Sequence, residues 1–206
     1  MLTAAMIVAI VAPPTAWGRA LSTLLQLAAV AAALSRAAVS RRLLGVAVVV
    51  GAVAAVSGTA DLVFGGRYSL GISQLASAAL LTLVPVAIIA EFVRNFHVTA
   101  QAVMAALCIY LVFGMFFASL AYAISALSGQ PYFAGKATAD SSDYLYFSYI
   151  TLATVGYGDY VPGLSAGRAL SVLEALMGQL YLVTVVALLV ANLPGRRSSG
   201  GSNHQG

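Results

Sequence analysis

Charge is what this sequence has least of. Asp, Glu, Lys and Arg together make up 8% of its 206 residues, where a soluble domain carries about a quarter. With 61% hydrophobic residues and a mean hydropathy of +0.96, the composition excludes an ordinary water-facing surface and predicts an integral membrane protein. Cysteine is nearly absent too. The single Cys108 cannot form an internal disulfide and reads as a small packing residue in an apolar run. The two histidines, His97 and His204, fall outside the apolar stretches. No Ser/His/Asp set or metal-ligand cluster is visible, which argues against an intramembrane enzyme. Basic residues exceed acidic ones by four, but they occur singly or in pairs rather than as the clustered face that nucleic acid requires. No nucleic-acid partner and no cofactor are expected.

Long apolar runs are what the sequence does have. A membrane helix needs roughly 20 apolar residues, and Ala20–Val39, Leu43–Phe64, Leu70–Val93, Val98–Leu127 and Ala169–Leu193 all reach that length. Met1–Ala12 is shorter and ends at Pro13-Pro14; without a basic leader it reads as a short or clipped first helix rather than a signal peptide. Trp17, the only tryptophan, suits an interfacial anchor. The tail Ser198–Gly206 is Gly/Ser-rich and expected to be disordered, with no cytoplasmic ligand-binding domain after it.

Between the last two long runs, Ser128–Gly167 does more than connect. Asp140-Ser141-Ser142-Asp143 offers helix N-caps. Tyr144–Ala153 then predicts a helix too short to span, its C-terminal end aimed into the membrane. The hexapeptide Thr154-Val155-Gly156-Tyr157-Gly158-Asp159 follows at once. These residue types solve one problem, replacing the water around a dehydrating K⁺ with backbone carbonyl oxygens. The glycines permit left-handed backbone that turns successive carbonyls to one side. The Thr154 hydroxyl adds a further ligand, Val155 and Tyr157 point away, and Asp159 ends the strand at the aqueous mouth. Such irregular backbone is tolerated at membrane depth only where protein shields it and it lines a pore. A secondary transporter would want two related broken helices, and only one is present.

The segment around the hexapeptide resembles the prokaryotic potassium channel family, in the class whose six-helix subunit ends in a two-helix pore module. Tyr146-Phe147-Ser148-Tyr149-Ile150-Thr151-Leu152-Ala153 is similar to the family's pore helix and Glu174-Ala175-Leu176-Met177-Gly178-Gln179-Leu180-Tyr181 to its inner helix. The resemblance implies an all-α membrane protein. Four N-terminal transmembrane helices (residues 1–94) precede a pore domain (residues 95–194) of outer helix, re-entrant pore helix with selectivity filter and inner helix, with residues 195–206 as the tail. It also implies a homotetramer in the lipid bilayer with K⁺ bound by the carbonyls of Thr154, Val155, Gly156 and Tyr157, with Gly158 completing the strand. One strand cannot encircle an ion, and cyclic symmetry closes the ring. Asp159 matches an acid that pairs with a pore-helix aromatic behind the filter. That aromatic is commonly tryptophan and is Tyr146 here. Some relatives carry a glutamate where this chain has Ile150, so a carboxyl pair behind the filter is not expected.

On the inner helix, Gly178 matches a hinge, against which stands a small residue for close packing. Glu174, a carboxyl at membrane depth, is either protonated or hydrogen-bonded to a pore-helix hydroxyl such as Thr151 of its own or a neighbouring subunit, and three roles are open to it: a structural brace, a pH-dependent gate, or an attractor of cations. Gln179, Leu182, Val186 and Val190 share one helical face; the family register turns it to the pore, and the alternative packs it on the outer helix. With the filter outward, Arg36, Arg41, Arg42, Arg94, Arg196 and Arg197 are cytoplasmic, against Arg19, Arg67, Lys136 and Arg168 outside. This is a positive-inside bias, with the C-terminus cytoplasmic and the protein in the cell membrane. Asp61, Asp140, Asp143 and Asp159 on the outer side would concentrate cations.

Moving one charge through the membrane field contributes only ~2.3 kcal/mol per 100 mV, so a voltage sensor needs several regularly spaced arginines. Leu70–Val93 holds no Lys or Arg, and steep voltage gating is not expected. Pro85 predicts a kink, Glu91 and Arg94 a minor surface pair, and His97 an interfacial polar residue. The reading is passive potassium conduction. The alternatives are a non-selective cation channel, against which Tyr157 argues, and a non-conducting subunit or sensor that keeps the pore fold.

Overall fold

The computed structural model describes residues 49, 51–53, 56, 66–94 and 100–191. The expected spans before residue 66, Trp17, Asp61, His97, His204 and the tail lie outside these residues, except for the helical positions 49, 51–53 and 56.

Four helices follow one another: α1 (Arg67–Arg94), α2 (Ala100–Ser128), α3 (Ser141–Leu152) and α4 (Ser165–Ala191). Among the described residues there is no strand, only an isolated antiparallel bridge between Phe133 and Pro162. The described elements are all helical, and two of them, Val103–Ser128 and Ser165–Val185, are long and apolar enough to cross a bilayer. The expected stretch Leu70–Val93 lies within α1. Pro85 sits inside that helix, and helix continues beyond it to Arg94.

α1 and α2 run antiparallel: a Cβ on Gly71, near the start of α1, would land on Leu127, near the end of α2. Their shared core holds Ala76, Leu80 and Leu81 of α1 with Val112, Met115, Ala118 and Ala121 of α2. The loop after α2 folds back through Tyr132 and Phe133, 1% and 2% exposed. Tyr144 of α3 stacks on Tyr122 of α2, with ring centroids 4.7 Å apart and planes 8° from parallel. α4 is antiparallel to α2, because Tyr181 Oη donates to the Ala106 carbonyl (2.6 Å) while Tyr132 Oη, just past α2, donates to the Gly167 carbonyl (3.3 Å).

Two helices begin earlier than expected. α3 starts at Ser141 rather than Tyr144 because Asp140 caps it. Its carboxylate accepts from the backbone N–H of Ser142 and Asp143, and Asp143 returns the bond to the Asp140 N–H. This reciprocal pairing satisfies otherwise orphaned donors at the helix start. α4 starts at Ser165 rather than Ala169; its first turn is polar and small, and hydropathy alone does not register it.

Candidate ion-conducting site

α3 is 12 residues long, so it reaches about 18 Å and cannot cross a bilayer core of about 30 Å. Its direction comes from its bonds. Tyr144 at the start packs by the end of α2, Ser148 donates to the Gly114 carbonyl (2.7 Å), and Tyr149 donates to the Leu111 carbonyl (2.8 Å). The helix therefore descends along α2. A Cβ on Gly114 would occupy the Tyr149 ring, so glycine there admits the pore helix.

The chain then turns back. The Ala153 N–H bonds to the Tyr149 carbonyl (3.0 Å), and the Thr154 N–H to that of Thr151 (2.9 Å). The N–H groups of Val155 and Gly156 both reach the Ile150 carbonyl, at 2.8 and 3.2 Å. Thirteen residues after Tyr146 the strand is level with it again, and the Tyr146 hydroxyl donates to the Asp159 carboxylate at 2.8 Å. The segment enters and leaves on the same side.

Between those ends the backbone alternates in hand. Positive φ occurs at Thr154 (57°), Gly156 (51°) and Gly158 (81°), and not at Val155 or Tyr157. Glycine takes this conformation freely. For Thr154 it costs about 1–3 kcal/mol, opposed by the bonds that hold the start of the strand to the last turn of α3. Sequence reasoning anticipated the left-handed glycines but not the threonine. Alternating hand turns successive carbonyls toward a common side, whereas a regular strand would point them to opposite sides. Every residue from Ala153 to Asp159 is exposed in the single subunit, Tyr157 at 72%.

At the Asp159 end of the strand, Tyr160 and Lys136 clamp the entrance of the loop. Lys136 Nζ lies 2.8 Å from Asp143 and donates to the Tyr160 hydroxyl (2.6 Å), which donates to Asp143 (2.7 Å). Burial acts to raise the Asp143 carboxyl, but the bonds from Lys136, Tyr160 and the Asp140 N–H prevail and hold it below its ordinary value. The hydrogen bond to Asp143 and then that to Tyr160 raise the Lys136 ammonium above its usual range. The residues are distant in sequence, and nothing but the fold brings Lys136 to Tyr160.

The fully buried residues of α4 form a narrow stripe of Gly167, Glu174 and Gly178, flanked by the partly buried Leu170 and Tyr181. A Cβ on Gly178 would fall onto the Leu152 carbonyl oxygen at the end of α3, so close packing by itself accounts for glycine there. Glu174 is 2% exposed, and the hydroxyl of α3 that it meets within the subunit is that of Ser148, one turn before Thr151. Ser148 is the one aliphatic hydroxyl among the buried residues of α3, the others being Tyr144, Leu145, Phe147 and Leu152, and that was the available signal. Tyr181 was also missed as an anchor, although it lies seven residues after Glu174 on the same helical face. Gln179 is exposed and Leu182 is 39% exposed, away from α2. The side chains of Val186, Val190, Glu91 and Arg94 lie outside what is described.

This arrangement, two apolar helices flanking a re-entrant helix and a glycine-rich return strand, is that of an ion channel pore. Residues 105–193, from within α2 to just beyond α4, match the model of the ion channel family. The chain is also similar to the probable potassium channel protein 2 of Methanocaldococcus jannaschii, with 39% identity over 70 residues. Those residues are 32% of this chain and 18% of the relative, so the match spans less than a fifth of that protein's length. Both findings support the resemblance to the prokaryotic potassium channel family. No solved structure matches the chain.

Proposed function

We propose that four copies of this chain assemble around one axis and conduct K⁺ passively and selectively. The carbonyls of Thr154, Val155, Gly156 and Tyr157 and the Thr154 hydroxyl replace the ion's water. The observation that carries this reading is the alternation of backbone hand at Thr154, Gly156 and Gly158 in a strand wholly exposed within the subunit. Polar backbone left bare at membrane depth has to face water, ions or other subunits. The exposed apolar surface of α4, including Leu173, Leu176, Leu180 and Val183, agrees with a helix covered by neighbouring copies and lipid.

The filter opens outward and the C-terminus is cytoplasmic, following the arginine distribution. Opening is not steeply voltage-dependent, because α1 has no Lys or Arg between Arg67 and Arg94. In asymmetric KCl/NaCl, the reversal potential of the purified, reconstituted protein is expected near the potassium equilibrium value. A potential near zero with measurable current would establish a non-selective channel instead. Absence of any current or rubidium flux would leave a non-conducting pore-fold subunit.

A further inference from the structure

Ser148 has one hydroxyl proton and two oxygen neighbours that both sit as acceptors: the Gly114 main-chain carbonyl at 2.7 Å and the Glu174 carboxyl. A carbonyl has no proton to give, so the contact with Gly114 uses the Ser148 proton. The contact between Ser148 and Glu174 is then a hydrogen bond only if Glu174 supplies the proton. We infer that Glu174 is a neutral carboxylic acid, a positioning residue that donates to Ser148 while Ser148 donates to the Gly114 carbonyl, so that two hydrogen bonds in series tie α4, α3 and α2 together behind the filter. An ionised Glu174 would leave two acceptors competing for one proton in a site shielded from water, where an unmade hydrogen bond costs most.

The surroundings agree with a neutral group. Ser148 is 1% and Glu174 2% exposed within a single subunit, so the two bonds are complete without a partner copy. The ionisable side chains close enough to interact with Glu174 are phenols, Tyr110 of α2 and Tyr132 of the loop. Among the described residues no Lys, Arg or His acts on it. A buried carboxylate with no cation beside it is the costly arrangement, and the neutral acid avoids it. The two bonds also sit where they matter. Ser148 is one turn before Leu152, and Leu152 is two residues before the strand. The Leu152 carbonyl abuts Gly178, one turn beyond Glu174. Loss of the proton therefore loosens the floor of the filter and the packing of α4 together.

The part of this inference that concerns ion flux rests on the proposed potassium conduction; the part that concerns the proton does not. The test uses the full chain reconstituted in lipid. Infrared spectra of protein labelled with ¹³C-glutamate report only Glu91 and Glu174, and the Glu91→Gln variant removes the first. A protonated-carboxyl band is expected at neutral pH, lost in Glu174→Gln and shifted in Ser148→Ala. Its absence from both native protein and Glu91→Gln would overturn the inference, whether or not the protein conducts. In flux measurements, the ratio of alkaline to neutral rubidium flux is expected to fall in the native protein and to stay constant in Glu174→Gln, whose amide still donates to Ser148. Equal ratios in the two proteins would overturn the coupling of these bonds to the filter.

Discussion

α2 and α4 are both apolar helices, 29 and 27 residues long, yet they live in different surroundings. α2 buries Val112, Met115, Phe117, Ala118, Ala121 and Ala123 inside its own subunit. α4 buries no apolar side chain larger than glycine among its described residues; its covered stripe is Gly167, Glu174 and Gly178. The difference teaches where each helix finds its partners. α2 is packed within the chain from Ile109 to Ala123, with Tyr149 and Tyr181 hydrogen-bonded to its backbone, while Val103, Met104 and Leu107 near its start are exposed. α4 approaches its own chain at Gly167, at Gly178, at the hydrogen-bonded Glu174 and through the half-buried Leu170 and Tyr181, and the apolar surface of Leu173, Leu176, Leu180 and Val183 stays open.

The sharpest way to break this comparison is to injure each side in turn. Met115→Ala on the closed side, where Met115 is 2% exposed, is expected to cost about 2–5 kcal/mol in reversible unfolding from detergent micelles. Leu176→Ala on the open side, 55% exposed, should change subunit stability by less than about 0.5 kcal/mol while lowering the fraction of assembled oligomer in native mass spectra. Equal losses of subunit stability would show that α4 is packed within the chain after all. A smaller effect is expected at the start of the re-entrant helix. Asp140→Ala removes a cap that satisfies two backbone donors, which is worth about 0.5–2 kcal/mol; faster hydrogen exchange confined to the first turn of α3 would be its signature.

The smallest effect is acid-dependent and belongs to the clamp of Lys136, Asp143 and Tyr160. The folded Asp143 carboxyl lies below its ordinary value of 3.8, so its contribution is fully present above that pH. It is lost as pH falls from 3.8 through the lower folded value. Titrating native protein against Lys136→Met should show this slope shrinking in the variant. An unchanged slope would mean that Lys136 contributes nothing to the clamp, as many exposed ion pairs do not.

The hexapeptide, the membrane class and the short helix before the strand were all legible in the sequence, because each is a local property of composition, length and glycine spacing. The start of α3 was less so. Asp140, Ser141, Ser142 and Asp143 offered several caps, and which one won depended on Asp143 reaching back to the Asp140 N–H. Which hydroxyl of α3 meets Glu174 was left open for a similar reason. Thr151 and Ser148 are both hydroxyls of α3, and only the rotation of the helix against α2 selects Ser148.

By itself the sequence determined that this chain enters a membrane, where its re-entrant segment falls, and which residues can adopt left-handed backbone. These follow from side-chain chemistry and from what each residue's own φ and ψ permit. The tertiary structure alone decided that Lys136 meets Tyr160, that Gly178 rests on the Leu152 carbonyl, and that one serine is shared between a carbonyl and a buried acid. Such contacts join residues 24 to 34 positions apart, and their geometry comes from how the helices pack, which no local rule of sequence specifies.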